Sequence, residues 1–237
     1  MRTALAALAV LLFALTGCTV SVDGSGATSS PAPITIGKPP KIPPTTGTAK
    51  LIAAELAKVR VAVRPKVAGY RRDQFGQTWS DDHNGPGGHN GCDTRNDMLA
   101  AQLQAVQYRA RSKCVVIAGV LPADPYTGRR LEFRKADASK LQIDHVYPLA
   151  RAWDMGAARW PMQRRVDFAN DEAANLLVVD GPANASKNDA GPGEWLPLNR
   201  AYRCTYVLKY LRVATKYALP ITTDDSNAAK TILPTCP

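Results

Sequence analysis

Hydrolysis needs a base for the attacking water, a group that orients the base, and positive charge for the oxygens that gain electrons in the transition state. Three stretches of the chain hold residues of those types: Asp144-His145 with Pro148 close behind, Asn175-Leu176-Leu177, and Asn184 with Lys187 and Asp189 following it. Histidine suits proton abstraction near neutral pH. A side-chain or backbone carbonyl must then hold its ring in one tautomer, and the Asn175 amide is placed to do so across a pair of strands. Asp144 and Asn184 offer oxygen ligands, which suit magnesium, with manganese or calcium as alternatives, better than zinc. Taken singly, each stretch also reads as plain structure: an Asx turn before a proline, a strand end, a helix N-cap. The three in this order favour the chemical reading.

These residues need elements to carry them. Residues 141–146 (LQIDHV) and 175–180 (NLLVVD) are short apolar runs and predict two strands, the first stopped by Pro148. Neighbours on a strand point to opposite faces, so Asp144 and His145 serve one site only where the strand ends. Asn184 follows a Gly-Pro turn and is expected at the start of a helix. Upstream, residues 50–59 predict a helix, residues 70–91 a loop, residues 96–110 a helix capped by Asp93 or Thr94, and residues 114–121 and 131–133 strands. Asp124 to Gly128 is turn chemistry. A helix starts at residue 149, another covers 159–169, and residues 202–217 form the C-terminal helix, ending near Pro220.

Arg159, Arg164 and Arg165 cluster ahead of the second strand, with phosphate contact weighed evenly against a solvated helix face. His83 and His89 lie in a glycine-rich loop, read as an exposed loop in preference to a zinc site. Trp153, Trp160, Trp195, Tyr202 and Tyr206 are read as packing in preference to base-stacking surfaces.

The chain carries 30 basic and 20 acidic residues, a formal charge of +10, which suits a polyanionic partner such as nucleic acid, anionic lipid or wall polymer. Residues 1–17 read as a signal peptide, with an apolar run too short for a comfortable span. The run ends in Leu15-Thr16-Gly17-Cys18, which resembles a bacterial lipobox, so Cys18 is the expected lipid anchor; ordinary signal cleavage is the alternative. Residues 18–48, rich in Ser, Thr, Pro and Gly, read as a disordered tether. Residues 49–237 suit one domain, its core about 115–200, with no transmembrane helix in the mature chain and a monomeric state expected. The remaining cysteines, Cys92, Cys114, Cys204 and Cys236, are even in number in an exported chain and predict two disulfides. Of the three pairings, Cys92–Cys114 and Cys204–Cys236 are expected, because each closes a local loop.

The pattern Asp-His-x-x-Pro, then Asn-Leu, then Asn-x-x-Lys-x-Asp resembles the HNH nuclease signature. More closely, the chain resembles the secreted HNH endonucleases of actinobacteria, whose core is related to the C-terminal domain of GmrSD-type restriction enzymes. Gly88 to Asn96, Asp124 to Gly128, Phe168 to Asp171 and Trp195-Leu196-Pro197 extend the likeness over about residues 70–210. The resemblance implies an α+β fold with a ββα-metal core in a mainly helical domain. It implies metal-dependent hydrolysis of phosphodiesters in DNA, with RNA as a further substrate option, at low sequence specificity. Asp144 stands at the first metal ligand, His145 at the general base, Asn175 at the asparagine orienting that base, and Asn184 at a second ligand position often filled by histidine. Lys187 would face phosphate, and His89 and Arg95 fall in a stretch with a supporting role. A non-catalytic surface lipoprotein that binds nucleic acid or wall polymer is the rival expectation.

Overall fold

The computed structural model describes residues 47–237, so the signal peptide, nearly all of the tether and Cys18 lie outside the described residues. The elements that follow are α1 (Thr48–Leu56), α2 (Thr94–Gln102), β1 (Gln104–Tyr108), β2 (Val116–Leu121), β3 (Leu131–Arg134), β4 (Leu141–His145), α3 (Leu149–Asp154), α4 (Met162–Ala169), β5 (Leu176–Asp180), α5 (Gly181–Lys187), α6 (Arg203–Tyr217) and α7 (Thr223–Ile232). The mixture is α+β. Strands β1, β2 and β3 form one antiparallel sheet in that order, while β4 and β5 form a separate antiparallel ribbon.

The ribbon explains the sequence pattern around the site. Leu141, Ile143, Leu176 and Val178 face one apolar cluster, shared with Met98, Leu99 and Phe133. Leu177 and Val179 face a second cluster, shared with Tyr206, Leu208 and Leu211 of α6. A strand buried on both faces needs no polar alternation, which is why residues 175–180 read as an unbroken apolar run. Helix α6 is amphipathic with a wide apolar face, burying Tyr206, Val207, Tyr210, Leu211, Val213 and Ala214, while Thr205, Lys209, Arg212 and Lys216 follow one another along its outer side. Arg151 of α3, fully buried, ties three elements together. It donates to Asp225 at 2.7 Å, to Glu194 at 2.7 Å and to the Tyr210 hydroxyl at 3.0 Å. Both expected disulfides are present, Cys92–Cys114 and Cys204–Cys236.

Two elements depart from expectation. The helix expected over residues 96–110 stops at Gln102, because Leu103 turns extended and the chain then pairs with β2 through Gln104, Gln107 and Tyr108. Leu103, which caps α2, and Val106 of β1 continue the apolar count but on extended chain. After α6, the left-handed Ala218 ends the helix and α7 follows, where no element was expected. Its sequence is polar, yet Thr222 and Asp225 form a capping box, and Asp225, Ala229 and Ile232 supply a buried stripe at helical spacing.

Candidate functional site

Strand β4 ends at His145, and its last two residues point to opposite faces of the ribbon. Asp144 lies opposite Leu177, and His145 opposite Leu176. Both are buried, at 5% and 7% exposure. Because the strand stops there, both also border one open cavity of about 380 Å³ together with Arg72, Asn184, Asn188 and Asp189. The cavity is where the two faces become one site.

Asp144 is held from two sides. The Tyr126 hydroxyl donates to Oδ2, and the Lys187 ammonium donates to Oδ1 at 3.0 Å and to the His145 carbonyl at 2.9 Å. Tyr126 is delivered by the turn that begins at Asp124. The buried Asp124 carboxylate accepts from the backbone and hydroxyl of Thr127 and, with its other oxygen, from the Asp180 amide. Burial, then the Asp144 charge, keep the Tyr126 hydroxyl protonated far above its ordinary range, so it remains a donor.

His145 is fixed differently. Nε2 lies 2.8 Å from the Ala169 carbonyl, which only accepts, so Nε2 carries the proton. Nδ1 therefore holds the free lone pair, with no partner among the described residues. The Trp79 indole stacks on the ring, centroids 5.5 Å apart and planes within 5°. Burial first, then the Arg72 charge, push the imidazole down to about 4, so it is neutral at pH 7. A neutral ring with one bonded nitrogen and one free nitrogen is the state a proton acceptor requires.

The Asn175 amide does not reach the imidazole. Its Oδ1 accepts from the Tyr147 amide at 2.8 Å, its Nδ2 donates to the Phe168 carbonyl at 3.3 Å, and its backbone carbonyl accepts from Val146. It fixes the chain as it leaves β4, just beyond the imidazole, whereas the carbonyl that orients the ring is that of Ala169.

Helix α5 follows β5 directly, capped by Asp180, whose carboxylate accepts from the Ala183 amide at 2.9 Å. That cap puts Asn184 in mid-helix instead of at its start. Asn184 Nδ2 donates to Gln142 Oε1 at 2.9 Å, which leaves its carbonyl oxygen without a partner on the cavity side. Lys187 does not face phosphate. It is fully buried and pairs inside with Asp144.

The other expected contacts are dispersed. Arg164 donates to the Tyr217 carbonyl at 2.8 Å and lies 4.5 Å above Trp160. Arg165 donates to the carbonyls of Gln74 and Trp160 at 2.6 and 2.5 Å. Both are committed to stapling α4 to its neighbours and neither lines the cavity. Arg95 donates to the Leu141 carbonyl at 3.1 Å and so supports the start of β4. His89 is exposed, 3.7 Å from the Asp82 carboxylate and away from the cavity lining. Sequence reasoning assigns no site role to Tyr126, Trp79, Arg72 or the Ala169 carbonyl. Tyr126 and Ala169 fall within the stretches Asp124–Gly128 and Phe168–Asp171 that carry the family likeness; Trp79 and Arg72 leave no such signal.

The donors fit a hard, hydrated cation. Among the described residues no three His, Cys, Asp or Glu side chains gather closely enough to hold a metal by themselves, as a structural zinc would need. Asp144 and Asn184 are oxygen donors on an open cavity. A carboxylate offers about four acceptor positions and Asp144 uses two, so it retains room for a cation that keeps most of its waters.

A relative described as an uncharacterized secreted protein, from the fungus Arthroderma benhamiae, is 32% identical over 211 residues, covering 88% of this chain and 93% of its own. No solved structure matches the chain significantly. The family of GmrSD restriction endonuclease C-terminal domains matches residues 93–229, which span β4, β5, α5 and every side chain that holds Asp144. By the extent of that match, the chain belongs to the family of GmrSD restriction endonuclease C-terminal domains, a nuclease-related family.

Proposed function

We propose that the chain is an exported, metal-dependent endonuclease of the HNH type that hydrolyses phosphodiesters in DNA or RNA with little sequence preference. The observation that carries this reading is the joint placement of Asp144, the neutral His145 and Asn184 on one cavity at the end of two strands followed directly by a helix. The antiparallel pair β4–β5 with α5 directly after β5 supports the ββα-metal reading, with α3 and α4 inserted between the two strands. The formal charge of +10 suits a polyanionic substrate, and two disulfides together with a secreted relative support an extracytoplasmic location. No described helix is long and apolar enough to cross a membrane, so membrane attachment in this reading rests on lipid at Cys18.

In the proposed mechanism Nδ1 of His145 accepts the proton of the attacking water. The Ala169 carbonyl keeps the other nitrogen protonated, and Trp79 holds the ring plane. Asp144 and Asn184 would hold the divalent cation, magnesium by the hardness of the donors, which supplies charge to the phosphoryl and leaving oxygens. Tyr126 and Lys187 orient the Asp144 carboxylate from behind, and Asn175 holds the backbone that follows His145. Incubation of the purified protein with plasmid DNA and with RNA tests the reading. Cleavage in magnesium that stops in chelator supports it. Intact DNA and RNA with magnesium, manganese and calcium in turn overturn it in favour of a binding protein.

A further inference from the structure

Among the described residues that line the cavity, Arg72 is the one cationic side chain. The other cations nearby are spent. Arg64 pairs with Asp154 and Asp189, Arg151 with Asp225 and Glu194, and Lys187 with Asp144. Among the described residues the Arg72 side chain finds no hydrogen-bond or ion-pair partner; its guanidinium carbon rests 5.6 Å from the centre of the Trp79 ring.

The segment that carries it is built with care. Arg72 opens a short 3-10 turn, Arg72–Phe75, whose last residue is buried and packs against Trp153 and Phe168. Gly76 follows with φ 84°, and a Cβ there would meet Val166 at 2.6 Å, so only glycine lets the turn sit this close to α4. Trp79 has φ 57°, a conformation that bulky side chains seldom adopt and that costs of order one to a few kcal/mol. The cost is offset by what the conformation achieves: it lays the indole against His145, with Arg72 over the same ring. The Arg72 charge is close enough to His145 to add to the effect of burial in lowering its proton affinity.

An arginine resting on an aromatic ring loses little freedom when it binds, and its planar fork matches two phosphate oxygens. We propose that Arg72, supported by Trp79, binds a backbone phosphate of the nucleic acid beside His145 and is the main phosphate contact of the cavity, in place of Lys187, Arg164 and Arg165. The assignment rests on the nuclease reading and names the residue that seats its substrate.

The test is binding in the absence of cleavage. Wild type, Arg72→Ala and Arg72→Lys are titrated against short fluorescein-labelled DNA and RNA in chelator over a range of salt, with recovered strands checked to be intact. Arg72 is exposed and its one contact of note is the Trp79 ring, so the variants should melt close to wild type. Arg72→Ala should bind on the order of tenfold more weakly, the scale of a charge-assisted bond, with the salt slope reduced by about one unit. Arg72→Lys should keep the slope and lose part of the affinity. Arg164→Ala should leave the slope unchanged. Unaltered affinity and slope in Arg72→Ala overturn the assignment and leave the nuclease reading intact. Failure of wild type to bind either nucleic acid overturns both.

Discussion

Replacing Lys187 with methionine separates two accounts of this residue. The side chain is fully buried and donates to Asp144 at 3.0 Å and to the His145 carbonyl at 2.9 Å. Methionine fills similar volume without charge, so the main loss is electrostatic. Removing one partner of a buried ion pair costs about 3–5 kcal/mol, because the other charge is left without compensation. Tyr126 still covers one oxygen of Asp144, which places the expected loss near the lower end, about 3 kcal/mol. For a domain of this size each kcal/mol moves the midpoint by about 2–4 °C, so Tm should fall by about 6–12 °C. Asp144→Asn in the same background removes the stranded charge and should recover more than half of the loss, a coupling that a double-mutant cycle reads directly. Urea denaturation of wild type, both single variants and the double variant in chelator is the assay. A Lys187→Met protein as stable as wild type, with a nucleic-acid salt slope lower by about one unit, would refute the buried pair and restore the surface role that the motif suggested.

Three further outcomes follow from the site. The His145 ring, at about 4 against an ordinary 6.5, is neutral in the folded chain while the unfolded chain takes up a proton below 6.5. Its contribution to stability is complete above pH 6.5 and is lost as the pH falls toward 4. NMR titration of the metal-free protein should show its ring signals flat from about pH 8 to 5.5; a midpoint near 6.5 contradicts the geometry. Glu172 is pushed up to about 7 by burial and by Asp97, Asp171 and Asp81, and its Oε1 has no hydrogen-bond partner among the described residues. Its raised value favours the protonated form in the fold, so stability falls as the pH rises from the ordinary carboxylate range through about 7. Glu172→Gln should therefore raise Tm at pH 8 and leave it unchanged at pH 4, and an equal shift at both would argue against the charge. Tyr126→Phe removes the donor to Asp144 Oδ2 and should weaken magnesium binding by loosening the carboxylate, seen as a higher metal concentration at half-maximal cleavage; an unchanged metal profile excludes a positioning role.

The parts of the fold that were legible in the sequence are those whose cause is local. Strands β4 and β5 are legible as apolar runs, the first followed by Pro148 and the second by Gly181-Pro182, which open α5. The disulfides followed from an even count of cysteines in an exported chain and from loops short enough to close locally. What stayed hidden depends on partners distant in sequence. Lysine is rarely buried, and nothing near residue 187 reveals that Asp144 waits 43 positions away. Arg164 and Arg165 look like a basic face until the Tyr217 and Gln74 carbonyls meet them. The tautomer of His145 is set by a backbone oxygen, which carries no residue signature at all. Strand β1 was masked because Leu103 and Val106 happen to continue the spacing of α2.

The central claim is that His145 takes a proton from water at a site completed by a divalent cation. The most direct measurement compares plasmid cleavage by wild type and His145→Ala in magnesium, with Tm and magnesium binding recorded for both. The account predicts a loss on the order of a hundredfold or more, with magnesium binding largely retained and the change in Tm confined to the lost packing against Trp79 and the lost hydrogen bond to the Ala169 carbonyl. A His145→Ala protein that is folded, binds magnesium and cuts at the wild-type rate would contradict it.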